Sequence, residues 1–202
     1  MRHRFLSFLG ALVALAVLSG CSSMKPQDFA AAEPKFALED YFVGKSKAWG
    51  IFEDRFGNLR RQFVVDIVGT WDEQSQTLKL VEDFVYNDGE KSQRIWTIKK
   101  VGPNRYQGTA PDVVGIADGI TSGNSLFWEY DMDLKVGTST WRVRFTDWMW
   151  LQPEGALVNR ARIKRWGIEI GEVSIFFRRA VDEQKAAAAS AAANAPRLAA
   201  AD

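Results

Sequence analysis

The sequence predicts an all-β fold, a single antiparallel up-and-down barrel of about eight to ten strands with a short N-terminal helical turn. Three observations predict it. Apolar and aromatic runs of roughly 8 to 12 residues recur between turn signals, no long 3.6-residue period follows the start of the chain, and every link is hairpin-short. A meander of long twisted strands hides its edges best by closing on itself, whereas a sandwich needs longer crossovers.

The elements follow in chain order. Arg2 and Arg4 precede an apolar run from Phe5 to Leu18 that ends in Leu18-Ser19-Gly20-Cys21. The run is too short to span a bilayer comfortably and suits the core of a secretory signal. Small residues before Cys21 are the pattern of a bacterial lipobox, so cleavage after Gly20 and acylation of Cys21 are expected. Ser22 follows where an Asp favours inner-membrane retention, which directs the protein to the inner leaflet of the outer membrane, facing the periplasm. Residues 22–35, SSMKPQDFAAAEPK, read as a tether between lipid and domain. The segment FALEDYF, 36–42, is expected to form one helical turn that lays Phe36, Tyr41 and Phe42 against a barrel mouth.

Strands are expected near 45–55, 59–71, 77–86, 93–101, 105–110, 113–121, 125–136, 139–151, 156–166 and 168–179. Between them stand Phe56-Gly57-Asn58, Asp72 to Gln76, Asn87-Asp88-Gly89, Gly102-Pro103-Asn104, Gly123-Asn124, Gly137-Thr138 and Gln152 to Gly155, with Asn-Asp-Gly the clearest hairpin signal. From Val181 the chain is nearly all Ala with scattered polar residues, a tail with nothing to bury that is expected to be disordered. The barrel is thus residues 36–180, and it holds all eight Trp.

Composition excludes much chemistry. The only His, His3, leaves with the signal, and the only Cys, Cys21, becomes the lipid attachment point. Disulfides, His or Cys metal ligands, Cys nucleophiles and a Ser-His-Asp triad are therefore not expected in the mature domain, and no cofactor is implied. Without Arg2 and Arg4 the chain carries 24 basic residues against 25 acidic ones, so nothing advertises nucleic acid.

Alternation sorts the two faces of each strand. In 125–136 the even positions are Leu126, Trp128, Tyr130, Met132, Leu134 and Val136, while Glu129, Asp131 and Asp133 are odd. In 59–71 the odd face carries Phe63, Val65, Ile67, Gly69 and Trp71, with Asp66 outside. Two inner faces are broken by acids, Glu82 among Leu78, Leu80, Phe84 and Tyr86, and Asp147 among Trp141, Val143, Phe145, Met149 and Leu151. Asn159 similarly interrupts Leu157, Ala161 and Ile163. A buried carboxylate needs a donor, a water or a ligand group.

One reading makes these residues internal ion pairs with Arg94, Arg160 or Arg162 that fix register. The other makes them the polar end of a ligand site, with Glu82, Trp128, Tyr130, Asp147, Asn159 and Arg160 as its candidates. A plain four-residue loop sets Asp147 opposite Arg160, whereas the apolar pattern sets Asp147 opposite Asn159 through a bulge at Gly155 or a three- or five-residue loop. The apolar pattern is preferred. Trp148 and Trp150 share the opposite face with Arg142 and Arg144, an aromatic and basic surface where an envelope protein can dock.

The stretches KAWGIFEDRFGNLRRQFVVDIVGTWD (47–72), VEDFVYNDGE (81–90), RFTDWMWL (144–151), NRARIKRWG (159–167) and GEVSIFFRR (171–179) resemble a proteobacterial domain-of-unknown-function family of lipocalin-like lipoproteins. The resemblance covers nearly all of residues 41–179. It implies a single-domain lipoprotein with a calycin-type barrel, gene neighbourhoods of fatty-acid modification, and no established activity or site residues. Gly69-Thr70-Trp71 is similar to the Gly-x-Trp of true lipocalins but ends the second strand instead of opening the first.

The expected function is therefore a non-enzymatic, membrane-anchored barrel that binds or carries a hydrophobic small molecule or lipid, a fatty acyl chain above all. The alternatives are a packed structural barrel that docks on an envelope partner, and a carboxylate hydrolase or isomerase using Glu82 or Asp147.

Overall fold

The computed structural model describes residues 24–182 and 184. The signal segment, Cys21 and most of the Ala-rich tail lie outside these residues. Ten strands form, β1 (Gly44–Asp54), β2 (Leu59–Asp72), β3 (Thr77–Tyr86), β4 (Lys91–Gly102), β5 (Arg105–Thr109), β6 (Val113–Ser122), β7 (Ser125–Val136), β8 (Ser139–Leu151), β9 (Leu157–Arg165) and β10 (Ile168–Arg179). Each matches an expected strand to within two residues at either end. Every strand pairs antiparallel with its sequence neighbours, and β1 pairs with β10, which closes a ten-stranded up-and-down barrel without edges.

Local chemistry explains the hairpins. Gly57 and Gly89 take φ of +79° and +84°, left-handed values that tight strand connections require and other residues resist. Alternation then divides inside from outside. In β7, Leu126, Trp128, Tyr130 and Met132 are buried, while Asp131 and Asp133 reach Arg144 and Arg142 on the outer surface. In β2, Val65 and Ile67 point inward and Asp66 is exposed beside Lys47.

The two ends of the barrel differ. The expected helical turn is α1 (Leu38–Phe42), with Leu38, Tyr41 and Phe42 buried. It is fastened across one end, where the Phe36 amide donates to the Gly123 carbonyl at 2.9 Å and the Tyr41 hydroxyl to the Gly155 carbonyl at 3.1 Å. Glu39 accepts from the Tyr106 hydroxyl at 2.9 Å and pairs with Lys100. β2 passes under α1 at Gly69, where an added Cβ would stand 1.8 Å from the Phe42 carbonyl oxygen, so only glycine fits. The opposite end, rimmed by the β1–β2, β3–β4, β7–β8 and β9–β10 hairpins, has no such cover among the described residues.

The structure differs from these expectations at both ends of the barrel chain and on its outer wall. The expected tether does not simply hang free: a 3-10 turn at Pro26–Phe29 places the Phe29 ring 5.5 Å from Trp148 and 6.2 Å from Trp150. Trp148 is consequently only 6% exposed, so it is not part of an open aromatic and basic surface, and Arg142 and Arg144 are engaged with acids of β7. At the other terminus, residues 180–182 are helical and Asp182 pairs with Arg179 at 2.6 Å, so the first residues assigned to the tail belong to the barrel end.

The outer wall carries one further pattern. Trp150, Val158, Phe176, Trp49, Val64 and Val85 are directly paired neighbours across six strands and all face outward. They form an apolar row over one side of the barrel.

Candidate functional site

The barrel interior is not filled. A cavity of about 420 Å³ runs through it, closed at the α1 end by Leu38 and Phe42 and reaching Arg60, Arg61 and Lys135 at the open end. Its wall is mostly aromatic and aliphatic. Trp96 stands edge-on to Trp128 and Tyr130, with ring centroids 6.1 and 5.5 Å apart, and Tyr130 stacks on Phe145 at 5.1 Å. Small residues make room for this wall: a Cβ at Gly119 would lie 1.8 Å from the Trp128 ring and one at Gly108 2.7 Å from it. Two glycines therefore let the indole lie flat against β5 and β6.

The polar cluster draws on five strands, with one supporting acid from a link. Glu82 on β3 stands directly across the ladder from Arg94 on β4. Arg94 donates from Nε at 3.0 Å and from Nη2 at 2.8 Å to one carboxylate oxygen of Asp112, in the link between β5 and β6. Tyr130 comes from β7, Asp147 from β8 and Asn159 from β9. The Asn159 amide donates to Asp147 and, at 3.0 Å, to the Trp148 carbonyl. Along the strands Asp147 and Asn159 lie toward the closed end, and Glu82, its ladder partner Arg94 and Tyr130 lie nearer the mouth.

Electrostatics follow from this burial. Loss of water pushes the Glu82 carboxyl up to about 7, Arg94 pulls it back, and Asp112 pushes it further up. Asp147 is pushed up to about 7 for the same first reason, opposed by the Asn159 amide and the Tyr130 hydroxyl and reinforced by Glu82. Burial, then the Asp147 carboxylate, drives the Tyr130 phenol well above its ordinary range. Burial disfavours the charge on Arg94, but Glu82 and Asp112 outweigh it and hold the guanidinium charged.

Five of the six candidate ligand residues therefore meet at one cavity: Glu82, Trp128, Tyr130, Asp147 and Asn159. Arg160 is the correction. It lies on the outer face opposite Trp148, with its guanidinium 5.7 Å from the Trp150 ring and 3.9 Å from Glu172. Arg162 is likewise outside, beside Glu172.

The register explains both placements. A five-residue link, 152–156, with Glu154 and Gly155 at φ of +62° and +79°, sets Asp147 opposite Ala161 and Asn159 opposite Met149. Asp147 and Asn159 thus share the inner face as the apolar pattern requires, but as diagonal neighbours rather than a direct pair. Asp112 was missed because it belongs to a link, where alternation assigns no face. Among the described residues no group of three or more His, Cys, Asp or Glu is placed to hold a metal ion.

A closed up-and-down barrel around a cavity with a polar interior cluster defines a lipocalin-like protein. More particularly, the chain belongs to the family described as a protein of unknown function (DUF3833), which matches residues 15–179. No curated protein matches the sequence. Among solved structures, a protein of unknown function from the DUF3598 family of Nostoc punctiforme is 12% identical with a TM-score of 0.51 over 74% of this chain. The present chain covers 51% of that protein, about half its length, and the likeness is one of fold alone. An S-type phycobiliprotein lyase from Guillardia theta is 9% identical with a TM-score of 0.49, over 70% of this chain and 90% of the lyase.

Proposed function

We propose that this chain is a proteobacterial envelope lipoprotein, held through acylated Cys21 on the inner leaflet of the outer membrane, whose periplasmic barrel binds or carries a fatty acyl chain or related lipid. The cavity is the observation that carries the reading. Its volume, about 420 Å³, lies within the roughly 300–1,000 Å³ of small-molecule sites, and its lining is mostly apolar with a few convergent polar groups. The anchor rests on the lipobox Leu18-Ser19-Gly20-Cys21, three positions before Met24, and two or three acyl chains hold a protein stably on a bilayer.

Native mass spectrometry and lipid extraction of the protein taken from its own envelope test both halves. The expected result is one copurifying acyl-chain compound per chain and an acyl mass increment on Cys21 that disappears in Cys21→Ser. Protein recovered without bound lipid sinks the ligand reading. An unmodified Cys21 sinks the anchor.

A second reading, docking on an envelope protein, is favoured by the outer apolar row. Trp49 and Phe176, each 39% exposed with rings 6.1 Å apart, lie at its centre. If this row is a docking face, a photocrosslinker at position 49 captures one defined envelope protein and the same group at Asp66 does not. Equal labelling from both positions removes this reading.

A further inference from the structure

The groups facing the cavity are unequal in charge. Glu82 and Asp147 bring two carboxylates to its inner wall, and the one guanidinium there, Arg94, is already committed through two of its nitrogens to Asp112, which stands behind the lining. Asp147 has a donor in Asn159. Glu82 lines the cavity and has neither a hydrogen-bond nor an ion-pair partner among the described residues. The remaining cations of the lining stand at the mouth, where Arg60 pairs with Asp54, and Arg61 pairs with Asp88 and Glu90. Lys135 is exposed there.

An anionic head carried inward adds a like charge to a desolvated, acid-rich cluster and is repelled, whereas a cation completes it. We infer that the cavity selects an amphiphile whose polar end is an aliphatic primary amine, with Glu82 as its counter-ion, Asp147 and Tyr130 as further acceptors, and the chain laid along Trp96, Trp128 and Phe145. The inference rests on the reading of the barrel as a lipid-binding protein and names the head group that this reading leaves open. An ammonium supplies three donors, and Glu82 and Asp147 offer acceptors on facing walls.

The groups that face Glu82 are Arg94 from β4, Asp112 from the β5–β6 link, Tyr130 from β7 and Asp147 from β8. With Glu82 and Asp147 both pushed up to about 7, the cluster is most anionic above that pH, so amine binding strengthens from pH 5.5 to pH 8.

The test uses the whole mature chain, residues 21–202, prepared without acylation, and titrates it by calorimetry with dodecylamine, dodecanol and dodecanoate below their micelle concentrations. At pH 8 dodecylamine is expected to bind about tenfold or more tightly than dodecanol, with dodecanoate the weakest of the three. Glu82→Gln brings amine and alcohol to within about threefold of each other, and Asp147→Asn reduces the difference in part. Dodecanoate binding as tightly as dodecylamine to the unsubstituted chain at pH 8 overturns the inference, as does full amine preference in a folded Glu82→Gln variant. If dodecanol binds but the charged heads are not distinguished, the inference fails while the lipid-binding reading stands. If none of the three binds, both fail.

Discussion

Asp147 ties the stability of the empty barrel to pH. Its carboxyl is held at about 7 in the folded chain, against about 3.9 in an unfolded one. Between those values the folded state keeps a proton that the unfolded state has lost, so stability falls as pH rises through this window and levels off above it. Asp147→Asn, which keeps an oxygen for the Asn159 amide but no charge, is expected to stabilise the ligand-free protein by about 1–3 kcal/mol at pH 8 and to leave it nearly unchanged at pH 4. Urea unfolding at the two pH values checks the prediction, and equal effects at both contradict it. Gly119 makes a second residue-scale case. Gly119→Ala drives a Cβ into the Trp128 ring, turns the indole into the cavity, and is expected to cost about 1–3 kcal/mol together with the loss of ligand capacity. Much at this scale was legible: alternation alone put Glu82, Asp147, Asn159, Trp128 and Tyr130 on the inner face. The same rule puts Arg160 outside, because its neighbour Asn159 is inside. A direct pairing with Asp147 followed only from a loop length that the chain does not use.

At the scale of elements, the strands were readable because each hairpin announces itself with Gly, Asn, Asp or Pro, and period-2 alternation fixes which face is buried. The bulge in β6 was not readable. Two extra residues lie between Val114 and Asp118, with Gly115 at φ +74° and Ile116 exposed, and an even insertion leaves the inside-outside pattern undisturbed. The 3-10 turn at Pro26–Phe29 was hidden for a different reason. A single Phe among Pro, Ala and charged residues has no periodicity, and its partners Trp148 and Trp150 are more than a hundred positions away. Phe29→Ala is expected to release this segment from the wall, uncover Trp148, and cost about 1–2 kcal/mol, since the ring is half-buried rather than core. A red-shifted tryptophan emission and faster proteolytic clipping before residue 36 report it. Unchanged emission means that the contact contributes little.

For the whole molecule, barrel closure and cavity belong together. Ten strands enclose more space than their inward side chains fill, and strand number was predictable from turn spacing, but the void itself was not, because packing density depends on how large side chains interlock across the interior. A ligand that occupies the void binds only the folded chain. Thermal unfolding is therefore expected to rise with amphiphile concentration, by about 2.7 kcal/mol at a hundred times the dissociation constant, and a midpoint insensitive to ligand contradicts binding in the interior.

The cap formed by α1 has a further consequence for traffic. A tube fastened shut at one end is a vessel with a single door, so whatever enters the cavity leaves by the same route. On the proposed carrier reading, loading and delivery would share one rim, the one formed by the β1–β2, β3–β4, β7–β8 and β9–β10 hairpins, and a donor and a recipient would visit it in turn.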